Sequence, residues 1–289
     1  MKTDLNGKRV LVTGASSGIG RALSKALAQA GAKLAIAARR EGALEALADE
    51  IAQAGGARPV VLTADLSARG EAERLGARAI EALGAVDILV NNAGVGAGGA
   101  QVVMGDADEA RALFETNYWA PLALTRALVP EMRKRGAGAV VNVASIGAVT
   151  PMPFAGHYSS SKAALSLATE TLRLELRGSG VHVLHVLPGP VDTAMLGEVE
   201  LLPGGARLLS RMPRGDVDTL ARKIVRGLER GRRALVYPGS LAIARHLPTV
   251  AVRLSAAVMP RVDEDPRMLL GGSQGAPEAR AVRAAFEQR

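Results

Sequence analysis

Seven short, β-branched apolar runs alternate along this chain with longer segments of helical period, and that alternation limits the fold more than any other feature. The runs are Arg9–Thr13, Lys33–Ala37, Pro59–Leu62, Asp87–Asn91, Ala139–Val143, Val181–Leu187 and Ala234–Tyr237. Between them the spacing predicts helices over Gly18–Ala30, Leu44–Ala54, Arg69–Leu83, Asp108–Arg135, Tyr158–Leu176 and Val217–Arg230. Strict alternation requires right-handed crossovers that lay helices on both faces of a parallel sheet. The expected fold is α/β: a doubly wound, mostly parallel, seven-stranded sheet with helices on both faces, one domain followed by a C-terminal helical extension. Such sheets bind ligands beyond the carboxyl ends of their strands, so the chemistry should sit there.

Composition removes several alternatives. The hydrophobic share is 48% against 22% charged, a globular balance, and aromatics are only 2%, so Ala, Val, Leu and Ile must build the core. The absence of cysteine excludes disulfides and thiolate metal sites, and no His, Asp and Glu cluster has metal-ligand spacing. The segment Met1–Gly7 has no apolar core of signal-peptide length, so a cytoplasmic protein is expected. The apolar stretch Leu241–Pro260 is broken by Arg245, His246, Pro248 and Arg253, which argues against a spanning helix. Residues 1–203 carry 20 basic and 20 acidic side chains, and residues 204–289 carry 16 and 8, so the whole excess of +8 is C-terminal. That excess fits either an anionic partner or a solvated Arg-rich surface. It is not interleaved with aromatics, so no nucleic acid is expected. The segment 193–215, with Pro203, Gly204, Gly205 and Pro213, reads as a loop or lid within a unit spanning residues 1–239, and residues 240–289 form the extension.

The first strand runs into Thr13-Gly14-Ala15-Ser16-Ser17-Gly18-Ile19-Gly20 and then a helical pattern. Glycines tighten such a turn and let phosphates approach the backbone, and the helix start offers free N–H groups to a pyrophosphate. A literal G-x-G-x-x-G at Gly94, Gly96 and Gly99 follows a later strand without a prompt helix and is taken as a loop. At the end of the second strand stands Ala37-Ala38-Arg39-Arg40, with no acid before Glu41. A carboxylate there would suit a ribose hydroxyl, whereas arginine suits a 2′-phosphate. NADP(H) is therefore expected over NAD(H), with Arg39 the principal contact and Arg40 either a second contact or a solvated side chain.

Tyr158 and Lys162 stand four apart at the start of a helical pattern and so share a face, and Ser145 lies just past a strand. A lone Y-x-x-x-K carries little weight, but its surroundings do. Thr13–Gly20, Asp65, Asn91-Asn92-Ala93-Gly94, Asn117, Ser145, Tyr158 with Lys162, and Pro188-Gly189 fall in the order and spacing of the short-chain dehydrogenase/reductase family. The chain resembles that family over residues 8–240. The resemblance implies a Rossmann-type subunit, a nicotinamide cofactor and a catalytic set of Asn117, Ser145, Tyr158 and Lys162. Tyr158 would be the general acid/base, its pKa lowered by the Lys162 ammonium beside the oxidised nicotinamide. Ser145 would hold the substrate oxygen. Asn117 would hold a water feeding protons to the lysine, or be a buried amide bonded to nearby backbone, or both.

The same resemblance carries over a set of cofactor-binding positions. These are Gly14, Ser16, Ser17, Gly18, Ile19 and Gly20 at the pyrophosphate and Asp65 and Leu66 at the adenine. Asn91, Ala93 and Gly94 would line the ribose path, Asn91 and Gly94 also supporting the central strand, and Pro188, Gly189, Val191 and Thr193 would meet the carboxamide; Tyr158 and Lys162 also touch the ribose. Where NADP(H)-binding relatives carry a basic residue inside the glycine loop, this chain has Ser17, so the coenzyme preference rests on Arg39. The expected reaction is hydride transfer between nicotinamide and a carbonyl or alcohol, with a hydrophobic small-molecule substrate such as a ketone, acyl chain or steroid-like compound. The alternatives are an NAD-linked alcohol dehydrogenase and a non-catalytic dinucleotide sensor. His157, His182 and His185 are expected to be structural. Family precedent implies a homodimer or homotetramer through the Asp108–Arg135 and Tyr158–Leu176 helices. In the extension, Leu247, Val250, Ala251, Leu254 and Val258 follow a helical period beside Arg245, Arg253 and Arg261. Such a helix could cover the pocket or a subunit interface, or make a peripheral membrane contact. Gly271–Pro277 is expected to be flexible and the last dozen residues helical.

Overall fold

The computed structural model describes residues 3–96, 99–150, 152–200, 205–247, 249, 250, 252, 253 and 256. Its seven strands are β1 (Arg9–Thr13), β2 (Lys33–Ala38), β3 (Val60–Thr63), β4 (Ile88–Asn91), β5 (Gly138–Val143), β6 (Val181–Pro188) and β7 (Ala234–Tyr237). They form one sheet in the order β3-β2-β1-β4-β5-β6-β7, every pair parallel. The chain first winds outward from β1 to β3, then crosses back to β4 and winds the other way. The strand order therefore reverses beside β1 and β4, where the helices leave a crevice above the strand ends.

The helices are α1 (Gly18–Gln29), α2 (Glu41–Gln53), α3 (Glu71–Leu83), α4 (Gln101–Met104), α5 (Asp108–Phe114), α6 (Ala120–Lys134), α7 (Gly156–Glu175), α8 (Ala194–Glu200), α9 (Gly205–Leu209), α10 (Val217–Glu229) and α11 (Ala242–His246). Strand side chains alternate between the two faces. Val10 and Val12 of β1 belong to the core shared with Leu23 of α1, Leu47 of α2 and Ile224 of α10. Leu11 between them joins the opposite core with Leu75 of α3, Leu124 of α6 and Val140 of β5. Each fully buried Leu contributes about 1.5–3 kcal/mol relative to exposure, so the small aliphatic runs suffice without aromatics.

Two expectations need correction. The helix expected over Asp108–Arg135 is interrupted by a wide π-type turn at Glu115–Trp119. Pro121 lacks the N–H that would bond the Asn117 carbonyl four residues back, and the backbone widens there instead. The segment 193–215 is not a plain loop, because it contains α8 and α9; helices of 7 and 5 residues are too short to show a period. In the extension, Leu247 and Val250 are half-exposed, and Ala251, Leu254 and Val258 lie outside the described residues. The expected flexible stretch 271–277 and terminal helix also lie outside them. Among the described residues, no helix is long and apolar enough to cross a membrane.

Candidate active site

The glycine loop after β1 is shaped by contacts that exclude side chains. Gly14 has φ +67°, and a Cβ there would lie 2.7 Å from the Ala93 Cα. A Cβ on Gly20 would come within 2.3 Å of the Gly14 carbonyl oxygen and 2.4 Å of Asn92 Nδ2. That amide donates to the Thr13 and Gly14 carbonyls at 2.9 and 3.2 Å, while Thr13 Oγ1 accepts from the backbone of Asn92 and Ala93 at 3.0 Å each. The loop is thereby stitched to the end of β4. Helix α1 begins at once, and its first turn has neither a side-chain cap nor an acidic residue. Its first N–H groups and positive dipole end face the crevice. This cradle fits a dinucleotide pyrophosphate.

A cavity of about 720 Å³ runs from this loop across the strand ends to α8 and α9. Of the positions singled out in the sequence, Gly14, Ser16, Ser17, Gly18, Ile19, Arg39, Arg40, Asp65, Leu66, Ala93, Gly94, Ser145, Tyr158, Lys162, Pro188, Gly189, Val191 and Thr193 line it. At its outer end Arg39 and Arg40 are exposed, and Arg40 Nη2 donates to Ser16 Oγ at 3.1 Å, closing over the loop. Burial pushes the Asp65 carboxyl up, but hydrogen bonds from Ser67 and the charge of Arg39 more than offset it and hold it below its ordinary range.

At the centre, Ser145 caps a short turn at Ile146–Ala148, its hydroxyl accepting from Gly147 N at 3.0 Å. That leaves its own proton to donate toward the cavity, where Ser145 acts on the Tyr158 phenol and draws its pKa down. Lys162 is buried, its ammonium donating to the Val143 carbonyl at 3.2 Å and lying 6.0 Å from the Tyr158 ring centre. Gly94 makes this packing feasible, since a Cβ there would stand 3.0 Å from Lys162 Nζ. Burial pushes the phenol above its ordinary value, with the Ser145 hydrogen bond pulling it back, and pushes Lys162 down to about 8. The sequence expectation that Lys162 depresses the phenol therefore does not describe the protein alone. Both groups are desolvated, and each is driven toward its neutral form.

Three expected positions stand outside the cavity wall. Gly20 lies behind the loop. Asn91 is buried at the end of β4 and donates to Asn142 Oδ1 at 2.8 Å, tying β4 to β5. Asn117 is fully buried in the wide turn and holds the segment after β4 through both ends of its amide. Its Oδ1 accepts from Val95 N, and its Nδ2 donates to Val95 O, both at 2.9 Å, and to Ser161 Oγ at 3.0 Å. The buried-amide alternative is the arrangement present.

Sequence reasoning did not select Asn92, although its doubled Asn beside Ala-Gly was the available signal. It placed a lid at 193–215 without naming the residues that make the apolar end of the cavity. There Ile146, Met152, Met195, Leu196, Val199, Leu208, Leu209 and Met212 form the wall. Arg214 of this segment pairs with Glu200 and is absent from that wall. His157 Nε2 bonds the Gly105 carbonyl at 2.8 Å, away from the phenol. Among the described residues no group of His, Cys, Asp or Glu could hold a metal ion.

The model of the short chain dehydrogenase family matches residues 8–201. A short chain dehydrogenase of Pseudocercospora fijiensis is 44% identical over 192 residues, which is 66% of this chain and 62% of that protein. The chain thus spans about three fifths of that relative's length. Among solved structures, a short chain dehydrogenase/reductase from Burkholderia phymatum in complex with NAD superposes with TM-score 0.75 at 29% identity, over 86% of this chain and 97% of that one. A short-chain dehydrogenase from Sphingobium yanoikuyae in complex with NADPH gives TM-score 0.73 at 29% identity, over 88% and 96%.

Proposed function

Because this chain belongs to the short-chain dehydrogenase/reductase family, and is thus an oxidoreductase of the nicotinamide-dinucleotide kind, we propose that it reduces a hydrophobic carbonyl compound with NADPH, Tyr158 donating the proton. The observation that carries the reading is one continuous cavity, with a glycine loop and two arginines at one end, a phenol–serine–ammonium group in the middle and an apolar lid at the other. Residues 1–239 make up the catalytic unit in this reading, and residues 240–289 an extension.

Gly14–Gly20 and the start of α1 would hold the pyrophosphate, Arg39 and Arg40 the 2′-phosphate, and Asp65 with Leu66 the adenine. The Pro188–Thr193 segment would face the nicotinamide. Bound NADPH supplies the hydride that reaches the carbonyl carbon. Ser145 donates to the substrate oxygen and holds it as negative charge develops there. The Tyr158 O–H bond breaks as its proton passes to that oxygen, yielding the alcohol. A phenol raised above its ordinary value carries that proton at neutral pH, which suits the reductive direction. Lys162 keeps positive charge near the phenol as the proton leaves, and Asn117 fixes Val95 on the cavity wall. The methionine- and leucine-lined lid favours a substrate with a neutral, apolar body.

Two exposed leucines on α7, Leu167 and Leu174, together with Trp119, would be covered in a homodimer or homotetramer. The experiment is a panel of apolar and polar carbonyl compounds followed by loss of NADPH absorbance, repeated with NADH. Turnover of apolar ketones or aldehydes with NADPH preferred supports the reading. NADH preference overturns the coenzyme assignment, and coenzyme binding without turnover of any member points to a sensor.

A further inference from the structure

Past β7 the chain returns to the site. The backbone runs through a short turn at Gly239–Leu241 into α11, and two contacts bring this strap onto elements already described. The first is at Gly189, where an added Cβ would lie 2.2 Å from Leu241 Cδ1. Gly189 is also held from below, its N–H donating to the Tyr237 carbonyl at 2.7 Å. The Leu241 side chain thus occupies the space any residue but glycine would need, and it backs the Pro188–Pro190 turn on the side away from the cavity.

The second contact is at Glu170 on α7, the helix that carries Tyr158 and Lys162. Arg245 Nη2 of α11 lies 3.1 Å from Glu170 Oε1. The same oxygen accepts from His185 Nδ1 at 2.9 Å, and Arg173 takes the other. His185 Nε2 in turn faces Ser166 Oγ at 3.2 Å. Burial pushes the Glu170 carboxyl up, but the His185 hydrogen bond and the Arg173 and Arg245 charges outweigh it and keep it ionised. The carboxylate is therefore charged at neutral pH and anchors Arg245 at 3.1 Å. Neither contact is needed to complete the sheet, since β7 is already paired along β6.

We propose that residues 239–245 act as a strap that positions the Pro188–Pro190 turn, Leu241 by direct contact and Arg245 by anchoring α11 to Glu170. Affinity for the nicotinamide half of the coenzyme then depends on the strap, whereas affinity for the adenosine half does not. This rests on the reading of that turn as the one facing the nicotinamide. Leu241 and Arg245 are positioning residues.

The test titrates the full chain and its Leu241→Ala, Arg245→Gln and Arg245→Lys variants with NADPH and with adenosine 2′,5′-bisphosphate, which lacks the nicotinamide half. Leu241→Ala and Arg245→Gln are expected to weaken NADPH binding about tenfold, roughly 1.4 kcal/mol, leaving the bisphosphate within about twofold of wild type. Arg245→Lys should recover most of the loss, because the anchor needs a cation. Unchanged NADPH affinity in both weakened variants, or equal loss of the bisphosphate, overturns the proposal. Failure of the wild-type protein to bind NADPH would overturn the coenzyme assignment itself, and the strap with it.

Discussion

The two ends of the cavity are built by opposite means. At the glycine-loop end the surface is backbone: N–H groups at the start of α1, carbonyls clamped by Asn92, and positions where a Cβ would collide. At the lid end the surface is side chain, with Met195, Leu196 and Val199 from α8 and Leu208, Leu209 and Met212 from α9 and the turn after it. Backbone geometry tolerates few residue types, so it leaves a recognisable pattern. An apolar wall tolerates many, since volume and polarity are all it requires. The first end therefore constrains its residues tightly, and the second can change without disturbing the first.

That contrast can be broken by substitutions at either end. The largest effect is expected at Gly20→Ala, whose Cβ would meet backbone at 2.3 Å. It should destabilise the fold by roughly 1–3 kcal/mol and abolish dinucleotide binding in calorimetric titration. Replacing both Arg39 and Arg40 by Ala removes two charge-assisted contacts and should weaken NADPH about a hundredfold while leaving NADH unaffected. An undiminished preference for NADPH would mean that the 2′-phosphate is held elsewhere.

Lys162 tests the centre, where function and stability pull apart. Its ammonium is held at about 8 in the fold against 10.5 when free, so at neutral pH the folded protein carries a buried charge at a cost. Between those two values the unfolded chain binds the proton and the folded one does not, so stability rises with pH across that window. Lys162→Met should therefore be inactive yet more stable at neutral pH by roughly 3 kcal/mol, read from urea unfolding, with the gap closing as pH approaches 10.5. A destabilised variant would show that the Val143 carbonyl contact outweighs the desolvation of the ammonium. The smallest effect is expected at the lid: Met195→Ala should raise KM for a bulky apolar ketone about tenfold or less, with coenzyme affinity unchanged.

How much was legible in the sequence follows the same division. The strands β1 and β7 have the bounds their apolar runs suggested: central β1 is buried on both faces and needs an unbroken apolar run, whereas β7 is a half-buried edge strand marked off by the Arg232-Arg233 pair before it and Pro238 after it. The tyrosine, lysine and serine stood out through the order and spacing they share with the short-chain dehydrogenase/reductase family, and the structure brings all three to one cavity. The wide turn at Glu115–Trp119 was not, since its helical period continues on both sides and only Pro121 hints at the break. The two lid helices were hidden by their length, and Asn92 by the assumption that Asn91, its neighbour, faced the ligand. The strap was invisible for another reason: its contacts join Leu241 to Gly189 and Arg245 to Glu170, across separations no local pattern encodes.

The central claim is that the Tyr158 phenol delivers a proton to an oxygen held by Ser145. Its most direct test is the single-turnover rate of NADPH oxidation by Tyr158→Phe at saturating coenzyme, measured with a carbonyl substrate that the wild type reduces. The account predicts a loss of about 10²–10⁴-fold with the NADPH dissociation constant unchanged. A rate within about threefold of wild type would contradict it, because general acid catalysis by that residue could then supply almost none of the acceleration.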